Sequence, residues 1–309
     1  MRAVWSYWSR PRQAQGAHTW LAERFPLFSW VLSLETARRH YPQTALVTDS
    51  AGARMLVDGL GLEWGSVSTA LDALHASDPL MWALGKLYAY RAQEEPFVHV
   101  DADVYLWSPL PARVAGAPVF TQNPEPLTGD TFFYRPQLVE DALLAEPEGW
   151  LPAEWGWYLR SGVPLRGDCC GIFGGTQVEF IRHYAGQAIR MVEHPANRRA
   201  WSRVMHRQLD MISVEQYYLA ACVEHHARTP GSPFAGVRME HLFATLDRAY
   251  APGEAKAAGY THLIAGAKGE REVMERLEAR VARDHPDAYE RCLRYARDAG
   301  LEDAEDRAA

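Results

Sequence analysis

Cysteine is scarce in this chain and absent from any pattern that does chemistry. Cys169, Cys170, Cys222 and Cys292 are the only four in 309 residues, two of them adjacent and none in a C-x-x-C pair. Neither a disulfide framework nor a zinc site is expected from such spacing. Basic residues are in deficit, 32 Lys and Arg against 39 Asp and Glu, for a formal charge of −7. No Lys/Arg block interleaved with aromatics occurs, which argues against nucleic acid as a partner. Long apolar runs are missing too. Nothing approaches a membrane span, and the opening M-R-A-V-W-S-Y-W has no signal-peptide h-region, so a soluble, cytoplasmic protein is expected. There is no internal repeat, and no linker long enough to force a domain boundary.

What is present is an ordinary globular composition, 48% hydrophobic and 23% charged, with length for one large α/β domain or two small ones. Eleven Trp and fourteen Tyr are many. Such rings lie well against the apolar faces of sugars and bases, and they also fill cores. Ala3 to Tyr7 predicts a first strand, ended by Ser9-Arg10-Pro11-Arg12. Leu27 to His40 has a helical apolar pattern stopped by Pro42. Thr44 to Thr48 is a second strand, with Ser50 as cap of a helix to about Leu60, and Trp64 to Ser68 is a third. Asp78-Pro79 predicts a helix start, the helix running to about Gln93. The order is then β-α-β-α-β-α-β, the pattern of a mainly parallel sheet flanked by helices.

Beyond it, Val119 to Gln122 and Cys169 to Phe173 read as strands. Gly174-Gly175 turns the second into a helix from Gln177 to Val192. Ser213-Val214-Glu215-Gln216 has the form of a capping box ahead of a helix through His225. Tyr260 to Ile264 is a late strand, and helices over Glu270–Arg283 and Ala288–Ala299 precede an acidic tail. The stretch Leu127 to Arg166, with Phe132, Phe133, Tyr134, Trp150, Trp155, Trp157 and Tyr158, is less regular.

The chemistry centres on Phe97 to Trp107, F-V-H-V-D-A-D-V-Y-L-W. Four residues of strand character run into Asp101-Ala102-Asp103, and an ionised pair at a buried strand end needs a positive partner. Ligands of open α/β sheets gather at the carboxyl ends of strands. Two carboxylates there suit a hard cation, Mg²⁺ or Mn²⁺, carrying a phosphorylated ligand; the competing reading is a solvated turn. A second cluster is His262-Leu263-Ile264-Ala265-Gly266-Ala267-Lys268. His262 can complete a metal site, Gly266 allows close backbone approach, and Lys268 supplies charge for phosphate. Its plain alternative is a surface turn.

Together these two clusters resemble the D-x-D and H-x-x-G-x-x-K motifs of GT-A-fold glycosyltransferases, above all the retaining enzymes related to glycogenin. The wider layout is W-x-Y-W at the start, T-D after the second strand, W-A-L-G-K-L-Y-A-Y, F-V-H-V-D-A-D-V, T-Q-N-P-E and G-I-F-G-G. From Ala3 to about Tyr289 it is similar to a bacterial glycosyltransferase-like family of unassigned function.

The resemblance implies a GT-A-like α/β catalytic domain over 1–268, with a nucleotide-binding half (1–125) and an acceptor half (126–268). A C-terminal helical extension, 269–309, would pack on the same domain. It implies a metal-dependent transfer, with retention, from a nucleotide-sugar donor (a UDP-sugar) to an unknown acceptor: a sugar, peptide, lipid or small molecule. Asp101, Asp103 and His262 would hold Mn²⁺ or Mg²⁺, and Lys268 would meet the diphosphate. The family motif continues with Pro-Trp after its lysine, where this chain has Gly269-Glu270.

Ser6, Tyr7 and Trp8 would border the base or belong to the core. Asp49 would bond ribose or base, or serve a turn. Lys86 would reach phosphate, pair with an aspartate, or be solvated. Asp168 would touch donor-sugar hydroxyls or simply flank its strand. Glu215-Gln216 resembles the family's D-Q pair beside the reactive carbon, although Gln216 also fits a capping box.

Three rivals stand beside this reading. A nucleotidyltransferase needs a Gly-rich basic loop after the first strand, and Ser9-Arg10-Pro11-Arg12 has no glycine. A haloacid-dehalogenase-type phosphatase expects Thr or Val where Tyr105 stands. The third is a non-catalytic GT-A relative that binds a sugar or partner.

Overall fold

The computed structural model describes residues 1–15, 19–128, 133–204 and 206–301. Phe132 and the acidic tail over 302–309 lie outside the described residues. The strands are β1 (Arg2–Tyr7), β2 (Thr44–Thr48), β3 (Ser66–Ser68), β4 (Phe97–Val100), β5 (Val104–Leu106), β6 (Val119–Thr121), β7 (Pro124–Pro126), β8 (Arg166–Asp168), β9 (Ile172–Gly175), β10 (Met239–His241) and β11 (Tyr260–His262).

The protein is α/β, with a seven-stranded sheet in the order β10-β6-β9-β4-β1-β2-β3. The sheet is mixed: β1 with β2, β2 with β3 and β10 with β6 pair parallel, while β6 and β9 run antiparallel. Two antiparallel two-stranded pairs, β5 with β11 and β7 with β8, stand apart from it. Among the described residues no helix is long and apolar enough to cross a membrane.

By internal contact the chain forms two compact units. One is Arg2–His75, Val100–Pro109 and Lys256–Ala309; the other is Ala76–His99 and Leu110–Ala255, with Met1. In the first, β2 is buried along its whole length, as the uninterrupted T-A-L-V-T run requires. The helix Phe25–Ala37, with Pro26 in its first turn, is buried on almost every side. An internal helix must pair its polar side chains: Ser33 Oγ accepts the indole N–H of Trp5 at 2.9 Å, and Thr36 Oγ1 donates to Leu32 O at 2.7 Å. Helices Arg271–Asp284 and Pro286–Asp298 are amphipathic, burying Met274, Leu277 and Val281, and Ala288, Cys292 and Ala296.

In the second unit, helices Ala83–Arg91 and Val178–Glu193 pack together. Tyr90, Phe97 and Phe173 form an aromatic cluster with centroids 4.5–6.5 Å apart. The Gly174-Gly175 pair is needed for closeness. A Cβ on Gly174 would overlap the carbonyl of Phe97, and Gly175 has φ +156.

Several boundaries differ from expectation. The helix expected from Asp78 starts at Ala83, because the Asp78 carboxylate makes a local turn with Leu80 N (2.9 Å) and an ion pair with Arg207 (2.5 Å). The cap after β2 is Asp49, which accepts from Gly52 N, not Ser50. Cys169 to Phe173 is no single strand: β8 and β9 are separated at Cys169-Cys170-Gly171. Ser213 caps nothing. It lies inside helical structure that runs from Arg207 to Arg228 through a π turn over Ser213–Tyr217, and its Oγ accepts from Arg135 N at 3.2 Å.

Candidate functional site

Asp101 and Asp103 follow β4, as expected, and their loop is pinned from one side. Ser29 and Ser33, one turn apart on Phe25–Ala37, donate to Ala102 O (2.8 Å) and Asp101 O (3.1 Å). Ser29 Oγ also meets the Tyr105 hydroxyl at 2.9 Å. With both carbonyls held, the two carboxylates are directed by backbone rather than by chance.

The antiparallel pairing of β5 with β11 sets His262 opposite Val104, next to Asp103. The ladder is extended by Leu263 N donating to Asp103 O at 2.9 Å. Lys268, on the 3₁₀ turn Ala265–Gly269, forms an ion pair with Asp103 Oδ2 and lies 5.2 Å from the Trp20 ring centroid. Leu21 N bonds Lys268 O at 2.9 Å, fixing that turn.

Burial by itself raises the Asp103 carboxyl, but the Lys268 ammonium and the His262 ring outweigh it, so the group is held well below the usual carboxylate range. One oxygen is thereby spent on Lys268. The other, Oδ1, is buried without a hydrogen-bond partner, His262 Nε2 lying 3.5 Å away. Donor atoms of Asp101, Asp103 and His262 all fall within 4.8 Å of one another. An orphaned carboxylate oxygen facing an imidazole and a second carboxylate fits a hard divalent cation, Mn²⁺ or Mg²⁺. The Gly266 turn departs from the H-x-x-G-x-x-K form, since the glycine stands four residues after His262, not three. A Cβ there would meet nothing within 4 Å, so no protein contact demands glycine.

The residues after β1 divide. Tyr7 borders a cavity of about 370 Å³ lined also by Ser9, Arg12, Glu23 and Met55. Burial pushes its hydroxyl up to about 12. Ser6 is half-buried, while Trp8 is buried with its indole N–H unpartnered. Asp49 is consumed by the scaffold: Oδ2 accepts from Ser9 N (2.9 Å) and Ser9 Oγ (2.7 Å), and Oδ1 from Gly52 N (2.7 Å). Its carboxylate fastens the starts of the helices Ser9–Gln15 and Ser50–Ala53.

The remaining candidates belong to the second unit. Lys86 Nζ lies 2.8 Å from Glu215 Oε1 and donates to Cys170 O at 3.2 Å. Tyr90 OH donates to the same Oε1 at 2.8 Å, and Oε2 is buried and unpartnered. Lys86 is therefore a counter-charge for a fully buried acid.

Asp168, also fully buried, receives Arg166 Nε at 3.1 Å and His241 Nε2 at 2.8 Å on Oδ1, its Oδ2 standing unpartnered. Burial raises this carboxyl, and Arg166 with His241 brings it below its ordinary value. Cys170 links the two acids, since its Sγ donates to Asp168 O at 3.2 Å. Gln216 accepts from the Tyr134 hydroxyl, which also meets Glu125 Oε2.

The model of the family of unknown function DUF6734 matches residues 1–295. The chain belongs to this family. No curated protein matches it. In this DUF6734 chain the partners that sequence reasoning missed are Trp20, Tyr90, Arg166 and His241. His241 sits on a three-residue strand with no pattern to mark it. One available signal was the scarcity of lysine: the chain has three, Lys86, Lys256 and Lys268, and two of them neutralise candidate acids.

Proposed function

We propose that the chain is a metal-dependent glycosyltransferase with a GT-A-like fold, acting on a nucleoside-diphosphate sugar, a UDP-sugar. The observation that carries this reading is the convergence of Asp101, Asp103 and His262 within 4.8 Å, with Lys268 beside them. The strand order supports it: the chain passes outward through β2 and β3, then returns to put β4 on the other side of β1. Ligands of open α/β sheets gather at such a change of direction, where β1 ends at Tyr7 and β4 runs into Asp101.

In this reading the transfer breaks the bond between the anomeric carbon and the β-phosphate oxygen. It forms a bond from that carbon to an acceptor hydroxyl oxygen, whose proton passes to the departing diphosphate. Asp101, Asp103 and His262 would hold Mn²⁺ or Mg²⁺, which when bound would supply Lewis-acid charge for the diphosphate leaving group. Lys268 shares its ammonium between Asp103 Oδ2 and phosphate oxygens. The cavity at Tyr7 and Arg12 takes the nucleoside end. Retention rests on the resemblance to the glycogenin-type motifs.

A sugar- or partner-binding role without catalysis is favoured by one observation. Glu215 and Asp168 are tied to Lys86, Arg166 and His241 rather than standing free.

Calorimetric titration of UDP with and without Mn²⁺ tests the proposal. Binding should require Mn²⁺, fall at least tenfold in Asp103→Ala, and weaken in Lys268→Met. Equal affinity without the ion, or in Asp103→Ala, refutes it.

A further inference from the structure

Three helices of the unit containing Leu110–Ala255 bring a second donor set together. Glu154 lies in the first turn of Ala153–Arg160, and His183 is on Val178–Glu193. Cys222 and His226 sit four apart on Tyr218–Arg228, hence on one face. Glu154 Oε1 is 3.1 Å from His183 Nε2 and 3.3 Å from His226 Nε2, and the two ring nitrogens are 3.3 Å apart. Cys222 offers Sγ to the same group, all four donor atoms lying within 4.8 Å of one another.

Three donors at the corners of a nearly equilateral triangle are what one face of a tetrahedral zinc site looks like. With Zn–N and Zn–O bonds of about 2.0–2.1 Å, neighbouring ligands stand about 3.3 Å apart. Hydrogen bonding alone serves this arrangement poorly. The two Nε2 atoms face each other and can share only one proton, and both also face the same carboxylate oxygen.

The outer partners fit a ligand role. His226 Nδ1 is 2.6 Å from Ser232 Oγ, and a proton on Nδ1 leaves the Nε2 lone pair directed inward. Glu154 Oε2 is occupied by the Tyr218 hydroxyl at 3.4 Å, which leaves Oε1 for the centre.

We propose that Glu154, His183, Cys222 and His226 form a structural zinc site that staples these three helices. The thiolate and two imidazoles suit borderline-soft Zn²⁺. Four protein donors close the coordination sphere, which is the structural rather than the catalytic arrangement. Glu154, Cys222 and His226 are buried, and half-exposed His183 marks the way in. The set differs in chemistry from the oxygen-rich Asp101, Asp103 and His262 group. Cysteine spacing predicted no zinc site because its usual signature is local, whereas these ligands meet only when three helices pack.

The test loads Co²⁺ into chelator-stripped protein and records its absorption. The parent should show a thiolate-to-cobalt charge-transfer band with tetrahedral d–d bands. Asp103→Ala should keep both. Cys222→Ser, checked for folding by circular dichroism, should lose the charge-transfer band. The His183→Ala/His226→Ala pair should lower Zn²⁺ affinity at least a hundredfold and abolish the rise in melting temperature that Zn²⁺ gives the parent. No charge-transfer band in the parent, or a band that survives Cys222→Ser, overturns the proposal.

Discussion

Replacing Lys86 with methionine removes the only cation seen against the Glu215 carboxylate among the described residues, while keeping most of the side-chain volume. The Lys86 side chain is 13% exposed and that of Glu215 not at all, so water cannot take over. Opposite charges at about 4 Å interact by about 4 kcal/mol at an effective dielectric near 20. Breaking a buried pair from one side costs about 3–5 kcal/mol. For a chain this size such a loss lowers the melting temperature by about 5–8 °C.

Glu215→Gln, which retains the Tyr90 bond, should lose less, about 2–3 kcal/mol. The double variant should be more stable than the sum of the two single losses implies, by about 2 kcal/mol, because each variant strands the other's charge. Calorimetry and far-ultraviolet circular dichroism measure all three. A melting temperature for Lys86→Met within about 1 °C of the parent would refute the reasoning.

Asp49→Ala should lose about 1–3 kcal/mol from two fastened helix starts, with UDP affinity in the presence of Mn²⁺ unchanged; a selective loss of affinity instead would make it a ribose contact. Asp168 has a folded pKa below its unfolded one, so its contribution to stability is complete above about pH 4 and is lost as pH falls through the folded value. Urea midpoints of the parent and Asp168→Asn should therefore draw together as pH falls from about 4 through the folded value, and a gap that does not narrow on acidification counts against the Arg166 and His241 pairing. Gly174→Ala drives a methyl into the Phe97 carbonyl and should cost about 2 kcal/mol or more, or prevent folding, whereas Gly266→Ala, in open space, should change stability by less than about 1 kcal/mol.

What could be read from the sequence was local. Thr44–Thr48 is found to the residue, because a buried apolar run between turn residues admits one reading. The D-x-D at the end of β4 was visible for the same reason. Caps were read one residue off at Asp49, and four or more residues early at Asp78, where a turn and an ion pair compete with helix initiation. The Ser213 signature failed because four residues of pattern cannot show that a helix already began at Arg207. The three-residue strands β3, β6 and β11 were seen inside longer runs of strand character, whereas β8 and β10 have no such run around them and were not. The pairing of Asp168 with His241, and the meeting of Glu154 with His183 and His226, depend on tertiary packing alone.

The unit that holds Asp101 and Asp103 is assembled from three separated stretches of chain, the last beginning at Lys256. His262 and Lys268 thus leave the ribosome about half a chain length after the aspartates they serve. Through most of synthesis the nascent polypeptide carries the two acids without their imidazole and ammonium partners. The centre can close only when β11 is threaded antiparallel against β5, a late event with a large loop to gather. A chain cut short before Lys256 would keep the D-x-D motif intact in sequence and have no centre around it.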